Sequence, residues 1–248
     1  MLFSANTKRH RGFLLGFLVS WWFLGVLSCA TLTGSVALVG SGERAGKKNR
    51  DYSGVVVWLE PTDPQRLPPP RSFQRAIMAQ RNKTFIPHVL AVEVGTAVDF
   101  PNFDPIFHNA FSNYDGQVFD VHLYAPQTSR RVAFRRPGMV RVFCNIHATM
   151  SAVVAVLPTP YFAVTDAAGR FQIHAPEGKY RFQVWHERSD PETLSKLERL
   201  ITLGSRELVL AEIKISEQGY LAVPHKNKFG RDYPPAPGDH VFYPAGRH

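Results

Sequence analysis

Cysteine is scarce in this chain: Cys29 and Cys144 are the two thiols in 248 residues. A small disulfide-stapled scaffold is therefore excluded, because such folds need several paired cysteines. No apolar stretch reaches the roughly 20 residues of a comfortable membrane helix; residues 12–27 come nearest, and they fall short. Tandem repeats at solenoid or propeller spacing are also missing, which removes those architectures. The net charge is +9, yet no nucleic-acid motif accompanies it. The basic stretches 44–50 and 130–136 are interrupted by uncharged residues and read as solvated faces, so no nucleic-acid partner is expected. What remains is a globular chain of one or two domains with 44% hydrophobic residues.

The N-terminus carries an export pattern. Lys8, Arg9, His10 and Arg11 form a basic region ahead of the apolar run. Val26-Leu27-Ser28-Cys29 matches a bacterial lipobox, in which Cys29 would be lipidated; alternatively Ser28 and Ala30 occupy the small-residue positions of an ordinary cleavage site. An uncleaved anchor is a third reading. Residues 1–29 are thus expected to be a leader, and the protein to reside in the periplasm or cell envelope, soluble or membrane-anchored. Loss of residues 1–28 removes three cations and no acid, which lowers the net charge to +6. Cys144 is then left without a disulfide partner in an oxidising compartment, where a metal would protect it.

Beyond the leader the pattern is all-β. Residues 31–60 hold short β-branched runs bounded by glycine, Gly34-Ser35-Val36 and Val55-Val56-Val57 among them. Residues 61–74 are rich in proline and arginine and read as a linker. A second β-rich block spans residues 75–157, and within it Val140, Val142 and Cys144 share one face of a period-two strand. The run Ala152-Val153-Val154-Ala155-Val156-Leu157 suits a strand buried on both faces. A third block, 158–216, has turns at Ala168-Gly169 and Glu177-Gly178, a short helix opening at Asp190-Pro191, and strands at 198–203 and 207–215. Residues 217–248 read as an extended tail on the surface.

The chemistry concentrates in Cys144-Asn145-Ile146-His147-Ala148-Thr149-Met150, a Cys-x2-His-x2-Met spacing at the end of a strand. A thiolate, an imidazole and a thioether are ligands that copper prefers, and a loop of this length can converge all three. His108, 36 residues upstream of Cys144, is the candidate fourth ligand. His122, His174, His186, His225, His240 and His248 read as polar rim residues, and His88 receives no metal role.

These residues resemble the cupredoxins, with a loop spacing similar to that of the amicyanins. The stretches Phe85-Ile86-Pro87-His88, His108-Asn109 and Pro137-Gly138 through Cys144 carry the likeness over residues 75–157. Parts of the chain also resemble exported bacterial methylamine utilization proteins. The resemblance implies a Greek-key sandwich with one mononuclear type 1 copper ion held by His108, Cys144, His147 and Met150. It further implies that Asn109 supports the site from behind, and that Pro105, Phe107, Phe111 and Ile146 keep it dry.

The third block has a likeness of its own. Thr165-Asp166 through Gly169 and Phe171, then Pro176, Gly178 and Tyr180, resemble the carboxypeptidase regulatory-like sandwich, and its opening strands correspond to residues 31–60. A discontinuous second sandwich, with the copper domain inserted, is expected. The function implied is an electron carrier between redox proteins, not an enzyme and without a small-molecule substrate. Its rivals are a copper carrier or store and a metal-free interaction module. A copper oxidase or nitrite-reductase-like reading lacks the His-x-His pairs such domains use.

Overall fold

The computed structural model describes residues 29–40, 51–69, 74–113, 116–218, 220 and 225–233. The leader 1–28, the basic stretch 44–50, His240 and His248 lie outside the described residues. Among those described, no helix is long and apolar enough to cross a membrane.

The chain is all-β. It opens with β1 (Cys29–Val39) and β2 (Val56–Pro61). The stretch that follows is not structureless: Asp63 caps a 3-10 turn at Pro64–Arg66 by accepting the Gln65 N–H. Ten strands come next: β3 (Arg75–Ile77), β4 (Ala79–Arg81), β5 (Thr84–Ile86), β6 (Val89–Glu93), β7 (Ala97–Pro101), β8 (Phe111–Ser112), β9 (Phe119–Asp120), β10 (Ser129–Ala133), β11 (Gly138–Phe143) and β12 (Ser151–Leu157). The remainder holds β13 (Phe162–Val164), β14 (Arg170–Pro176), β15 (Gly178–Trp185), helix α1 (Pro191–Ser195), β16 (Arg199–Leu203), β17 (Leu208–Val209) and β18 (Ile213–Ser216).

The first two strands pair with the last block. β1 lies antiparallel to β14 and runs parallel first to β17, then to β18. β2 sits between β13 and β15, with β16 beyond. The stretch expected as one strand at 207–215 is therefore two, because β1 takes successive partners along its length. Alternation explains the core of these sheets: Phe171, Ile173 and Ala175 of β14 and Tyr180, Phe182 and Val184 of β15 point inward with Val57 and Leu59. Gly169 turns the chain into β14 at φ +77°, and a Cβ there would lie 2.1 Å from the Val36 carbonyl oxygen.

Residues 75–157 form two sheets of their own, β10-β7-β3 and β6-β12-β11-β8-β9, plus the hairpin β4-β5. Their shared core contains Phe85, Val98, Phe100, Phe134, Val140, Val142, Cys144 and Met150. β12 is buried on both faces: Ala152, Val154 and Val156 enter this core, while Ala155 and Leu157 meet Val56 and Trp58 of β2. That double burial accounts for its unbroken apolar run.

One ion pair spans the two sets of sheets beside β12. His88 Nε2 lies 2.5 Å from Glu187 Oε2, and His88 Nδ1 is 3.0 Å from the Ser151 carbonyl oxygen. The bond to Glu187 raises the His88 pKa against the opposing effects of burial and Arg188. Burial pushes the Glu187 carboxyl up, but His88, Arg141 and His186 outweigh it and hold its pKa low. The histidine contribution is complete below the ordinary imidazole value and is lost as pH rises through the raised one. The glutamate contribution is complete above the ordinary carboxylate value and is lost as pH falls through the depressed one. The pair is thus strongest between about pH 4.5 and 6.5. Half of the His88 side chain is solvated, which limits the pair to about 0.5–1 kcal/mol. Thermal melts should show the wild type losing about 2 °C more than Glu187→Gln between pH 6 and pH 9.

Candidate metal centre

The hairpin joining β11 to β12 builds the centre. Phe143 pairs with Ser151, so residues 144–150 form the connecting loop. Two backbone bonds close it, Cys144 N–H to the Met150 carbonyl oxygen (3.1 Å) and Met150 N–H to that of His147 (3.1 Å). Phe111 of β8 lies opposite Phe143, and His108 exchanges backbone bonds with Tyr124, which brings His108 over the loop.

Three of the expected residues converge. Cys144 Sγ lies 3.8 Å from His108 Nδ1 and 3.5 Å from His147 Nδ1. The donor atoms of His108, Cys144 and His147 all fall within 4.8 Å of one another. Metal–ligand bonds of about 2.0–2.3 Å at trigonal or tetrahedral angles place a nitrogen and a sulfur ligand ~3.6–3.8 Å apart, so the observed spacing fits one first-row metal ion. Met150 is fully buried in the same core as Cys144. A thiolate with imidazoles and a nearby thioether favours copper over harder metals.

The electrostatics suit ligation. Burial and the neighbouring His108 push the His147 pKa down to about 4, leaving a neutral ring with a lone pair at neutral pH. Burial also lowers the His108 pKa, against the opposing pull of Asp104. Burial raises the Cys144 thiol, although the backbone N–H groups of Ile146, Asn109 and His147 point at its sulfur and favour the thiolate. Metal uptake would therefore displace a thiol proton.

Sequence reasoning missed Asp104. Its Oδ2 accepts the His108 Nε2–H at 2.7 Å, which leaves the lone pair on Nδ1, the nitrogen facing Cys144. Asp104 is itself fixed by the backbone N–H groups of Asn82 (2.6 Å) and Lys83 (2.8 Å) in the β4–β5 turn. Burial disfavours the charged carboxylate, but these donors and His108 outweigh that effect and hold its pKa low. The only signal available was an acid four residues before His108.

Asn109 ties the two halves together: its Oδ1 accepts the Asn145 N–H (3.3 Å), and its Nδ2 donates to Asp120 (2.7 Å). Phe111 is buried, whereas Phe107 and Ile146 are 38% and 37% exposed and Pro105 is exposed. The last three therefore do not seal the site as expected; they form part of its rim, because they flank His108 and His147 on loops outside the sheet. His186 corrects another expectation. It is buried, 2.8 Å from Glu217. His88 stays out of the cluster and serves the ion pair with Glu187. His122 and His174 are exposed, as rim residues are. Cys29 is an exposed free thiol at the start of β1.

The tail does more than lie on the surface. Residues 225–233 fold over the ligand loop around a turn in which Gly230 N–H reaches the Asn227 carbonyl oxygen. Tyr233 O–H donates to the Cys144 carbonyl (2.7 Å), Lys228 N–H donates to Asn145 Oδ1 (2.9 Å), and the His225 ring stacks on Phe143 at 4.3 Å. No periodicity announces these contacts, which span up to 89 residues. Tyr233→Phe deletes one buried-side donor and should cost about 0.5–1.5 kcal/mol. Faster amide hydrogen exchange across residues 144–150 would register the loosening.

No protein-family model matches the sequence. Methylamine utilization protein MauL of Methylorubrum extorquens is 41% identical over 59 residues, which is 23% of this chain and 52% of that protein. The chain thus spans about half the length of this curated relative. Similar solved structures include the copper-containing nitrite reductase NirK of Thermus scotoductus, with TM-score 0.32 and 25% identity over 36% of this chain and 23% of that one. A reduced amicyanin variant gives TM-score 0.32 and 17% identity over 37% and 96%. A purple cupredoxin from Nitrosopumilus maritimus gives 0.30 and 23% over 34% and 99%.

Proposed function

We propose that this chain is an exported type 1 copper protein that carries single electrons between redox proteins of the cell envelope. The observation that carries the reading is the convergence of His108 Nδ1, Cys144 Sγ and His147 Nδ1 at single-ion spacing, with His108 oriented by a buried carboxylate. Met150 would add its thioether to the ligand set, and Asn109 would hold the loop.

Copper would supply a one-electron couple between its +1 and +2 states. The protein's part is to keep the donors still. Asp104 fixes the His108 ring, two backbone bonds close the loop, and Asn109 clamps it to the segment bearing His108. Little rearrangement then accompanies a change of charge. Burial of Cys144 and Met150 excludes water, while His147 is half-buried beside exposed Ile146 and offers an exit route. An envelope location rests on the leader pattern, with Cys29 as the lipid attachment point in the lipoprotein reading.

Titration of the purified protein with Cu(II) tests the proposal. One equivalent should produce an intense thiolate-to-copper band in the visible range, and repeated reduction and oxidation should leave the metal in place. Loss of copper to a chelator on each reduction would instead favour a copper carrier or store.

A further inference from the structure

The open side of the β9–β10 region is a strongly charged concave surface. A groove of about 770 Å³ is lined by Arg130, Arg131, Arg135 and Arg136, with Asp120 as the one carboxylate in its wall among the described residues. That carboxylate is already committed to Lys228 (2.7 Å) and Asn109 (2.7 Å). Asp99, the nearby acid on β7, is likewise committed to Arg131 (2.6 Å) and Arg75 (2.7 Å). Arg130, Arg135 and Arg136 are exposed. The groove therefore presents positive charge that the chain does not itself neutralise with these acids.

The backbone adds direction. β10 is the last strand of its sheet, with β7 on one side and no further strand on the other among the described residues. Phe134 N–H bonds the Thr96 carbonyl oxygen and the Thr128 carbonyl accepts the Asn102 N–H, so even-numbered positions serve the β7 side. Odd-numbered positions face the groove, where the Ala133 carbonyl oxygen accepts Gln117 Nε2 (2.8 Å) and Arg135 N–H donates to Gln117 Oε1 (2.9 Å). The Arg131 backbone groups point to that same side. Val118 is 73% exposed, and Val121 and Val132 also line the groove.

We propose that this groove docks an acidic protein partner, which lays an extended segment along the ~17 Å of β10. The groove-facing backbone groups of Arg131 supply pairing, those of Ala133 and Arg135 being held by Gln117, while the arginines receive alternate carboxylates and the valines receive apolar side chains between them. The concave shape and strand edge fit a polypeptide better than a flat anionic membrane. The inference concerns binding alone and holds whether or not the proposed copper reading does.

The probe is a synthetic eight-residue peptide of alternating Glu and Val, measured by calorimetry against the full chain. Binding should weaken steeply with added salt and fall at least tenfold in Arg135→Glu/Arg136→Glu. Lys214→Glu, on the other sandwich, should leave it unchanged. Methylating alternate peptide amides should abolish binding to unmutated protein, a control that needs no variant to fold. Three outcomes would overturn the proposal: no binding, binding indifferent to either change, or phosphatidylglycerol vesicles or an oligonucleotide binding through the same arginines while the peptide does not.

Discussion

Cys144→Ser should abolish the visible charge-transfer band and lower copper affinity by more than about 100-fold, beyond what outer partners of a metal site are worth. Serine is close in size to cysteine but its hydroxyl does not ionise near neutral pH, so the site loses both a negative charge and its soft donor. Cys144 is fully buried among Val142, Met150 and Phe100, and the smaller hydroxyl fits that space. Folding should survive, as circular dichroism would confirm. The effect is then chemical: a folded, colourless protein. A variant that keeps the band would mean that the sulfur seen between the two imidazoles is not the chromophore.

The second large effect is expected at Asp104. In Asp104→Asn one carboxylate oxygen becomes an amide N–H₂, yet three donors converge on that side chain: Asn82 N–H, Lys83 N–H and His108 Nε2–H. At least one donor must then face another donor, and the His108 ring loses its fixed orientation. Copper affinity should fall about 10- to 100-fold, the range for losing such an orienting partner. Removing a negative charge also disfavours the more highly charged metal ion, so the reduction potential should rise, by about 59 mV for each tenfold preferential loss of Cu(II) over Cu(I). Voltammetry with competitive chelation separates the two contributions. An unchanged potential and affinity would leave Asp104 with only a structural task in the β4–β5 turn.

The readable and unreadable parts of this molecule divide by the range of the contacts. The spacing from Cys144 to His147 was legible because a hairpin loop is local: β11 and β12 are adjacent in the chain, and their register brings those two side chains together and buries Met150 in the same core. Period-two burial in β14 and β15 was legible for the same reason. The unbroken apolar run of β12 announced double burial but not its second partner, which comes from β2, about 100 residues away. Asp104 was missed because its role depends on amides presented by a separate hairpin. Tyr233, Lys228 and His225 were missed because a segment without periodicity gives no hint of where it lands. The exposure of Phe107 and Ile146 is a similar case: the resemblance implied that they keep the site dry, but their position on loops leaves them exposed.

X-ray absorption at the copper edge of the metal-loaded protein tests the central claim most directly, since it reports the atoms bound to the ion. One short sulfur scatterer and two imidazole nitrogens, with the sulfur lost in Cys144→Ser, is the predicted result. A shell of nitrogen and oxygen alone would contradict it, because the ion would then sit somewhere other than between His108, Cys144 and His147.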